Sequence, residues 1–454
     1  MRIVIVGAGK VGWALTQNLA AKNDVIVIDQ NQNLIDNIIN VYDVMGVCGN
    51  GASYEVQKEA GAAKADLLIA TAASDEINIV ACLVAKKLGV PHTIARIRNP
   101  EYEKQLRFMR EDLGLSMVIN PEKATAREIA RVLRFPTAMK MESFSKGRLE
   151  LVEYRLPEGS MLHGIKLSDL YKNIRVRVLI CAVTRKNETI IPSGDFVLQS
   201  GDKISVTSTP ASLEQFFRQL GVFRKKASSV MIVGASKMCY YLAQQLIEMG
   251  MAVKIIDRDE QRCVRMGELL PKAMLIVGDG TDSELLEEEG IDEVDAFVAL
   301  TGMDEANILM AISASKRVED CKVVVKINRP SLVALVSDES MVDSVVSTGT
   351  VTAELILQYV RAMQNAEGAR IKTLHRIVDE KVEALEFSVT DGTASYIGVP
   401  LKNLKLRSGI LLAGIVRENG QIIIPSGNDA LRAGDDVIVV TTDTNLQDIG
   451  DILQ

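Results

Sequence analysis

Three glycines, in Gly7-Ala8-Gly9-Lys10-Val11-Gly12, follow the apolar run Ile3-Val4-Ile5-Val6 and open a segment whose apolar positions recur at helical spacing. A second apolar run, residues 25–28, stops at Asp29, 17 residues beyond Gly12. In a strand–turn–helix–strand unit each of these residues has a chemical use. One glycine permits the turn, one lets backbone approach a pyrophosphate, and one lets the helix pack on the strand. The helix beginning near Lys10 points its free N–H groups and the positive end of its dipole at phosphates. Asp29 is placed to accept hydrogen bonds from ribose hydroxyls, and its charge disfavours a 2′-phosphate. The stretch therefore predicts a site for NAD or another adenosine nucleotide rather than NADP.

In a doubly wound sheet a ligand lies along the carboxyl ends of the strands, at the switch point. That rule selects Gly7, Ala8, Gly9, Lys10, Val11 and Gly12 after the first strand, and Asp29 and Gln30 after the second. It adds Asn50, in a loop at 48–52 read as flexible, polar and bordering the adenine, and Thr71 and Ala72 in a small-residue loop. Beyond the fifth strand, Arg98 reads as a single cation near the phosphates, or alternatively as the partner of Glu76 or Glu101 in a surface ion pair. Lys10 is expected over the sheet edge. The spacing G-x-x-x-x-G-K-S/T is absent, so no P-loop stands behind it.

The elements that must hold these residues read as strands at 2–6, 24–29, 43–48, 66–71, 93–97 and 116–119, separated by helical segments. Such alternation predicts a parallel sheet covered on both faces and wound by right-handed crossovers. A helix at 122–134, with a narrow apolar stripe at Ala126, Ile129, Ala130 and Leu133, suits packing against a neighbour.

The chain then repeats itself. From Val230 the pattern returns with Asp257 in the place of Asp29 and Gly234 in the place of Gly7, but Ser236 and Cys239 replace Gly9 and Gly12. Gly49-Asn50-Gly51 returns as Gly278-Asp279-Gly280, Asp75-Glu76-x-Asn78 as Asp304-Glu305-x-Asn307, and Arg96-Ile97-Arg98-Asn99-Pro100 as Lys326-Ile327-Asn328-Arg329-Pro330. A weaker or altered second site is expected at Gly234, Ala235, Ser236, Lys237, Met238 and Asp257. A second type of unit also occurs twice: Ile190-Ile191-Pro192-Ser193-Gly194-Asp195 recurs as Ile423-Ile424-Pro425-Ser426-Gly427-Asn428, each followed by a Gly-Asp turn and a β-rich run. Each copy is read as a small α+β module closed by an amphipathic helix, at 212–220 and 445–453. The expected fold class is thus two Rossmann-like doubly wound α/β domains alternating with two small α+β domains, at 1–139, 140–224, 225–372 and 373–454.

Composition narrows the functions. The chain has 454 residues, 47% hydrophobic and 24% charged, the balance of a soluble globular protein with three or four domains. A net charge of −7 and a pI near 5.4 argue against a nucleic-acid surface. Six scattered cysteines with no C-x-x-C pair read as reduced thiols, and three separated histidines give little material for a zinc site or a catalytic dyad. No apolar run approaches the ~18 residues that span a bilayer, and the N-terminus reads as a strand, which places the chain in the cytoplasm. An NAD-dependent dehydrogenase, the rival reading, needs an acid or base beside the nicotinamide. His163 in the first small module has no counterpart in the second.

Gly7 to Gly12, Asp29, Gly49-Asn50-Gly51, Asp75-Glu76-Ile77-Asn78 and Arg96 to Pro100, each echoed in the second half, together resemble the RCK (KTN) regulators of potassium conductance. The Ile-Pro-Ser-Gly segments followed by Gly-Asp resemble that family's C-terminal ligand-sensing module, and the resemblance covers essentially all of the chain. It implies a non-enzymatic, cytoplasmic protein, peripheral on the inner membrane. Such a protein binds NAD(H) or ATP/ADP in the first fold and assembles, as four copies, under a membrane-embedded potassium-translocating subunit of the TrkH or TrkG type. Carried over by position, the family's nucleotide contacts fall on Gly7 to Val11, Asp29, Thr71, Ala72 and Arg98, with weaker analogues at Gly234 to Met238 and Asp257.

Overall fold

Runs such as Ile3-Val4-Ile5-Val6 offer water no polar face, and they form strands covered from both sides. The computed structural model describes residues 1–454 apart from 100, 103–104, 106–112, 136, 187, 223–226, 319–320, 338–341, 367–370, 378–381, 390–393, 444–445, 447 and 454. Strands Arg2–Val6, Asp24–Asp29, Met45–Cys48, Leu67–Ala70, His92–Arg96 and Met117–Ile119 form a six-stranded sheet, ordered third, second, first, fourth, fifth, sixth. Every pair is parallel, as the strand–helix alternation requires. Ile3, Val4, Ile5, Leu67, Leu68 and Ile69 are fully buried. The order reverses between the first and fourth strands, so the crevice opens where the chain leaves them, at Gly7 and Thr71.

Helices cover the sheet, and their ends are written in the sequence. Asp75–Lys87 is capped by Ser74, whose hydroxyl accepts from the Ile77 amide, and carries Asp75 and Glu76 in its first turn and Lys86 and Lys87 in its last. The second half repeats the sheet, in the same order, with strands Ser229–Val233, Ala252–Asp257, Met274–Val277, Ala296–Ala299, Lys322–Lys326 and Ser344–Val346. Residues Met1–Ala130 and Ala227–Leu357 make one compact unit. No helix among the described residues is long and apolar enough to cross a membrane.

The small modules, in the unit Arg131–Lys226 with Gln358–Gln454, are antiparallel. Lys140–Phe144, Leu149–Arg155, Leu179–Arg185, Glu188–Ile190 and Lys203–Ser208 form one five-stranded sheet. Ile371–Ile377, Val382–Ser388, Ile410–Val416, Ile422–Ile423 and Asp436–Thr441 form the other, with the same neighbours. A shared core of Phe144, Leu149, Leu151 and Cys181 with Ile377, Val382, Ala384 and Ala413 joins the two sheets. The Gly-Asp turns are structural. Buried Asp202 accepts from the Gln199 amide at 2.8 Å and pairs with Arg185 at 2.8 Å, and Asp435 does the same with the Arg432 amide at 2.7 Å and with Arg417.

One expected pair of elements differs between the copies. The first module closes with helix Pro210–Gln219, capped by Thr209 and anchored by buried Leu213, Phe216 and Phe217. Among its described residues the second closes with the 3₁₀ turn Ile449–Ile452, with a capping box at Asp448. Asn445, the expected start, lies outside the described residues, as do Pro100 and the expected boundary at 224–225. Gly450 lies fourteen residues beyond the start of strand Asp436–Thr441, as Phe217 lies fourteen beyond that of Lys203–Ser208, and brings the entropic cost of glycine where the first copy has an aromatic anchor.

Between the two sheets of this unit, the buried Glu142 lies 2.7 Å from His375 Nδ1, 3.3 Å from Lys140 and 3.7 Å from Arg131. Burial by itself pushes the carboxyl up, but the imidazole and the two fixed cations outweigh it and hold the group at about 2. Its folded value thus lies below the unfolded value of about 4.3. The stabilisation is present above the unfolded value and is lost as pH falls toward the folded one. Thermal unfolding of the parent and of Glu142→Gln is expected to show a gap in melting temperature that is full at neutral pH. The gap closes between about pH 4.5 and pH 2, and a gap independent of pH would contradict the assignment.

Candidate nucleotide-binding site

Gly7 follows the first strand with φ +101°, a conformation side chains rarely adopt, and a Cβ there would come 2.8 Å from the Ala72 amide nitrogen. A Cβ on Gly12 would overlap the carbonyl oxygen of Gly7. Gly9 is different: nothing lies within 4 Å of its Cβ position, so the space it leaves opens into the crevice. It is the N-cap of helix Lys10–Leu19, with no side chain bonded to the helix end and no acid in the first turn. The first N–H groups of that helix are therefore left for an anion.

Asp29 closes the second strand beneath this turn. Its Oδ2 accepts from the Ala8 amide at 2.7 Å and its Oδ1 from the Asn31 amide at 2.8 Å. A carboxylate has about four acceptor positions, so each oxygen keeps capacity for a hydroxyl. Thr71 holds the turn from the other side, its hydroxyl donating toward the carbonyls of Val6 at 3.1 Å and Gly7 at 3.3 Å. The loop that follows is stapled to the exit of the fifth strand. Asp75 accepts from the amides of Arg98 and Asn99 at 2.9 and 2.8 Å, and Asn78 donates to the carbonyls of Ala72 and Arg96 at 3.1 and 2.8 Å.

These elements enclose a cleft of about 960 Å³ lined by Gly7, Gly9, Lys10, Val11, Asp29, Gln30, Thr71, Ala72 and Arg98, together with Arg96 and residues 31–34 and 73. Ala8 and Gly12 shape it without lining it. Lys10 stands at the carboxyl end of the first strand, which is central in the order. Three expectations are corrected. Asn50 does not line the cleft: it is exposed and accepts from the Ala52 amide at 3.0 Å, while Gly49 and Gly51 press against Val56 and Val6 in a packed loop. Arg98 pairs with Asp75, at 3.7 Å, rather than with Glu76 or Glu101. Glu76 instead bonds Ser74 and Tyr102, which hold its carboxyl at about 2. Nor is Arg98 a single cation. Arg96 joins it, its guanidinium donating to the Ala72 carbonyl at 2.5 Å while that of Arg98 donates to Ala73. Burial moves Arg96 below its ordinary value, yet a guanidinium stays charged. Arg96 was hidden in the sequence by its place at the end of an apolar strand.

The second fold keeps the frame and changes the contents. Gly234 has φ +109°, and Asp257 accepts from the Ala235 amide at 2.6 Å and the Asp259 amide at 2.9 Å. Ser236 caps its own helix, accepting from the Cys239 amide at 3.3 Å, and so uses a donor that Gly9 leaves open. The cleft measures about 330 Å³ and is lined by Gly234, Ser236 and Asp257, but not by Ala235, Lys237 or Met238. Arg258 bridges it to Asp279 at 2.7 Å, and the amide and hydroxyl of Thr281, with that guanidinium, hold Asp279 below the usual carboxylate range. Asn328 replaces the cation Arg98. The sequence signal for this closure was the opposite charge of Arg258 and Asp279, where the first copy has Gln30 and Asn50. Among the described residues no cluster suited to a metal ion is present.

Residues 3–121 and 230–348 match the TrkA-N domain, and residues 151–221 and 384–454 match the TrkA-C domain. The chain belongs to the family of tandem TrkA-N and TrkA-C proteins. It is 32% identical to the Trk system potassium uptake protein TrkA of Haemophilus influenzae over 100% of this chain and 99% of that protein. Among solved structures, the GsuK channel bound to NAD shares 19% identity, with 97% of this chain and 77% of that chain covered and a TM-score of 0.62. GsuK bound to ADP shares 15%, with 80% and 69% covered and a TM-score of 0.51. At these identities the likeness shows the fold.

Gly12 and Gly9 of the first TrkA-N turn are expected to separate in an unfolding experiment. Gly12→Ala forces the turn open and should cost about 1–3 kcal/mol in urea unfolding. Gly9→Ala, which meets nothing, should cost about 1 kcal/mol or less. Equal losses would contradict the assignment of Gly12 to packing and Gly9 to the open cleft.

Proposed function

We propose that this chain is the nucleotide-responsive regulatory subunit of a potassium uptake system, and that the first TrkA-N cleft is its receptor. The observation that carries the reading is the convergence of an uncapped helix end, the carboxylate of Asp29 and the guanidinium groups of Arg96 and Arg98 on one open cleft. The helix end and the two arginines suit phosphates; the acid suits ribose hydroxyls and repels a 2′-phosphate. NAD(H) and ATP/ADP meet both requirements, and the GsuK structures bound to NAD and to ADP support ligands of this class on this fold. The second cleft, smaller and bridged by Arg258 and Asp279, binds them more weakly.

The relatives' name supports a role in potassium uptake. In this reading the chain works as a homotetramer, cytoplasmic and peripheral on the inner membrane, against a membrane-embedded potassium-translocating subunit of the TrkH or TrkG type. It turns occupancy into shape rather than product. A nucleotide shifts such an assembly only by its difference in affinity for the two states. Lys10 and Arg98 are the discriminating residues, because an additional phosphate gains a charge-assisted bond from each.

Equilibrium titration of the full chain with NAD, NADH, ATP and ADP, beside potassium flux through the reconstituted membrane subunit, tests the proposal. Asp29→Ala is expected to weaken every nucleotide about tenfold or more, and Arg98→Ala to weaken ATP more than ADP, as lost charge-assisted bonds of roughly 1.5–3 kcal/mol dictate. Titrations and flux that ignore both substitutions would overturn it, and substrate-dependent oxidation of NADH by the chain alone would favour a dehydrogenase.

A further inference from the structure

Within each compact unit the first-half and second-half copies meet, and their contacts are unequal where equal copies would make the same contact twice. In the small modules Glu142 stands opposite Leu151 and His375 opposite Ala384, and Leu151 and Ala384 begin the two TrkA-C matches. Glu142 and His375 therefore hold the same position in the two copies, and they bond to one another at 2.7 Å. The neighbouring ring of Phe144 packs edge-on to His375 with centroids 4.9 Å apart, while Ile377 holds the position of Phe144 in the other copy.

The large folds show the same inequality independently. Ala14 and Tyr241 each lie eleven residues beyond the start of a TrkA-N match, and Glu122 and Gly349 each follow the end of one. On one side of the contact the Tyr241 hydroxyl accepts from Asn120 Nδ2 at 2.9 Å, and the ammonium of Lys123 lies 5.8 Å over its ring. On the other side Gly349 lies against Ala14: a Cβ on Gly349 would come 3.8 Å from the Ala14 Cβ and 3.7 Å from the Lys10 carbonyl. Large meets polar on one side, and small meets small on the other.

We propose that these unequal pairs choose the partner: each copy from the first half accepts a copy from the second half and rejects another of its own kind. Two first-half small modules would bring Glu142 onto Glu142: each buried carboxylate would keep its own Lys140 and Arg131 but lose the imidazole and face a second negative charge in its place. Two second-half modules would bring imidazole onto imidazole with the carboxylate gone. Two second-half large folds would set Tyr241 against the position of Gly349 on both sides, without Asn120 or Lys123. Specificity of this kind comes from what the wrong pairing costs as much as from what the right one gains. The inference does not depend on any nucleotide.

The test uses the full chain. Glu142→His and His375→Glu, which make the two positions alike, should each lower the melting temperature by about 2–4 °C or more for a loss of order 1 kcal/mol in a unit of this size. The double swap of both substitutions should recover at least part of that loss. The two single variants, unfolded and refolded together, should complement each other, so that native mass spectrometry finds assemblies containing both chains above the statistical proportion. No recovery in the swap together with statistical mixing would overturn the proposal. Should a single variant fail to fold, Glu142→Gln, His375→Gln and their combination supply the cycle: a combined loss smaller than the sum supports the pairing, and an additive loss overturns it.

Discussion

The carbonyl of Gly7 occupies the space that a side chain on Gly12 would need, and the shape of the first cleft follows from that crowding. Because the helix lies so close under the turn, its first N–H groups come to the carboxyl edge of the sheet at the point where the strand order reverses. Asp29 then ties the turn down through the Ala8 amide, and Thr71 ties it from the fourth strand. The second copy has Cys239 in place of Gly12 and still builds a six-stranded sheet of the same order, with a Ser236 amide bonded to the Gly234 carbonyl. The sheet therefore does not need the tight glycine packing, and the helix end stays open in the first copy because Gly9 has no side chain to cap it, where the second copy has Ser236.

A chain that carries two copies of a fold separates architecture from site without reference to any other protein. Features present in both copies are those the frame needs. Asp75 and Asp304 each accept two amides from the exit of the fifth strand, and Asn78 and Asn307 each donate to the carbonyl of that strand's last residue, Arg96 and Lys326. Features that differ report on what the copies do. Gly9 became Ser236, Arg98 became Asn328, and Gln30 and Asn50 became the ion pair Arg258 and Asp279, so one crevice stands open and the other is bridged from within. The Gly-Asp turns of the small modules belong to the first class, since Asp202 and Asp435 satisfy an arginine and a loop amide in each.

The strands, their parallel order and the two kinds of module were legible because they rest on local facts: apolar period, glycine turns, capping residues and repetition. All six strands of the first fold lie within two residues of their expected positions. The closing helix of the last module was not, because Gly450 and the Asp448 cap act through backbone entropy and a hydrogen bond that a hydrophobic pattern does not register.

For the site, sequence by itself determined the donors and the acid: Gly7 to Gly12 and Asp29 can meet only where a strand, a helix and a second strand follow in that order. It could not decide direction. Whether Arg96 at the end of a strand faces the cleft, whether Arg98 turns to Asp75 or to Glu76, and whether Asn50 reaches the ligand all depend on which loops pack together. So does the meeting of Glu142 with His375, 233 positions apart in the sequence. Local propensity is a property of neighbours along the chain, whereas charge pairing is a property of neighbours in space, and only the folded arrangement supplies those.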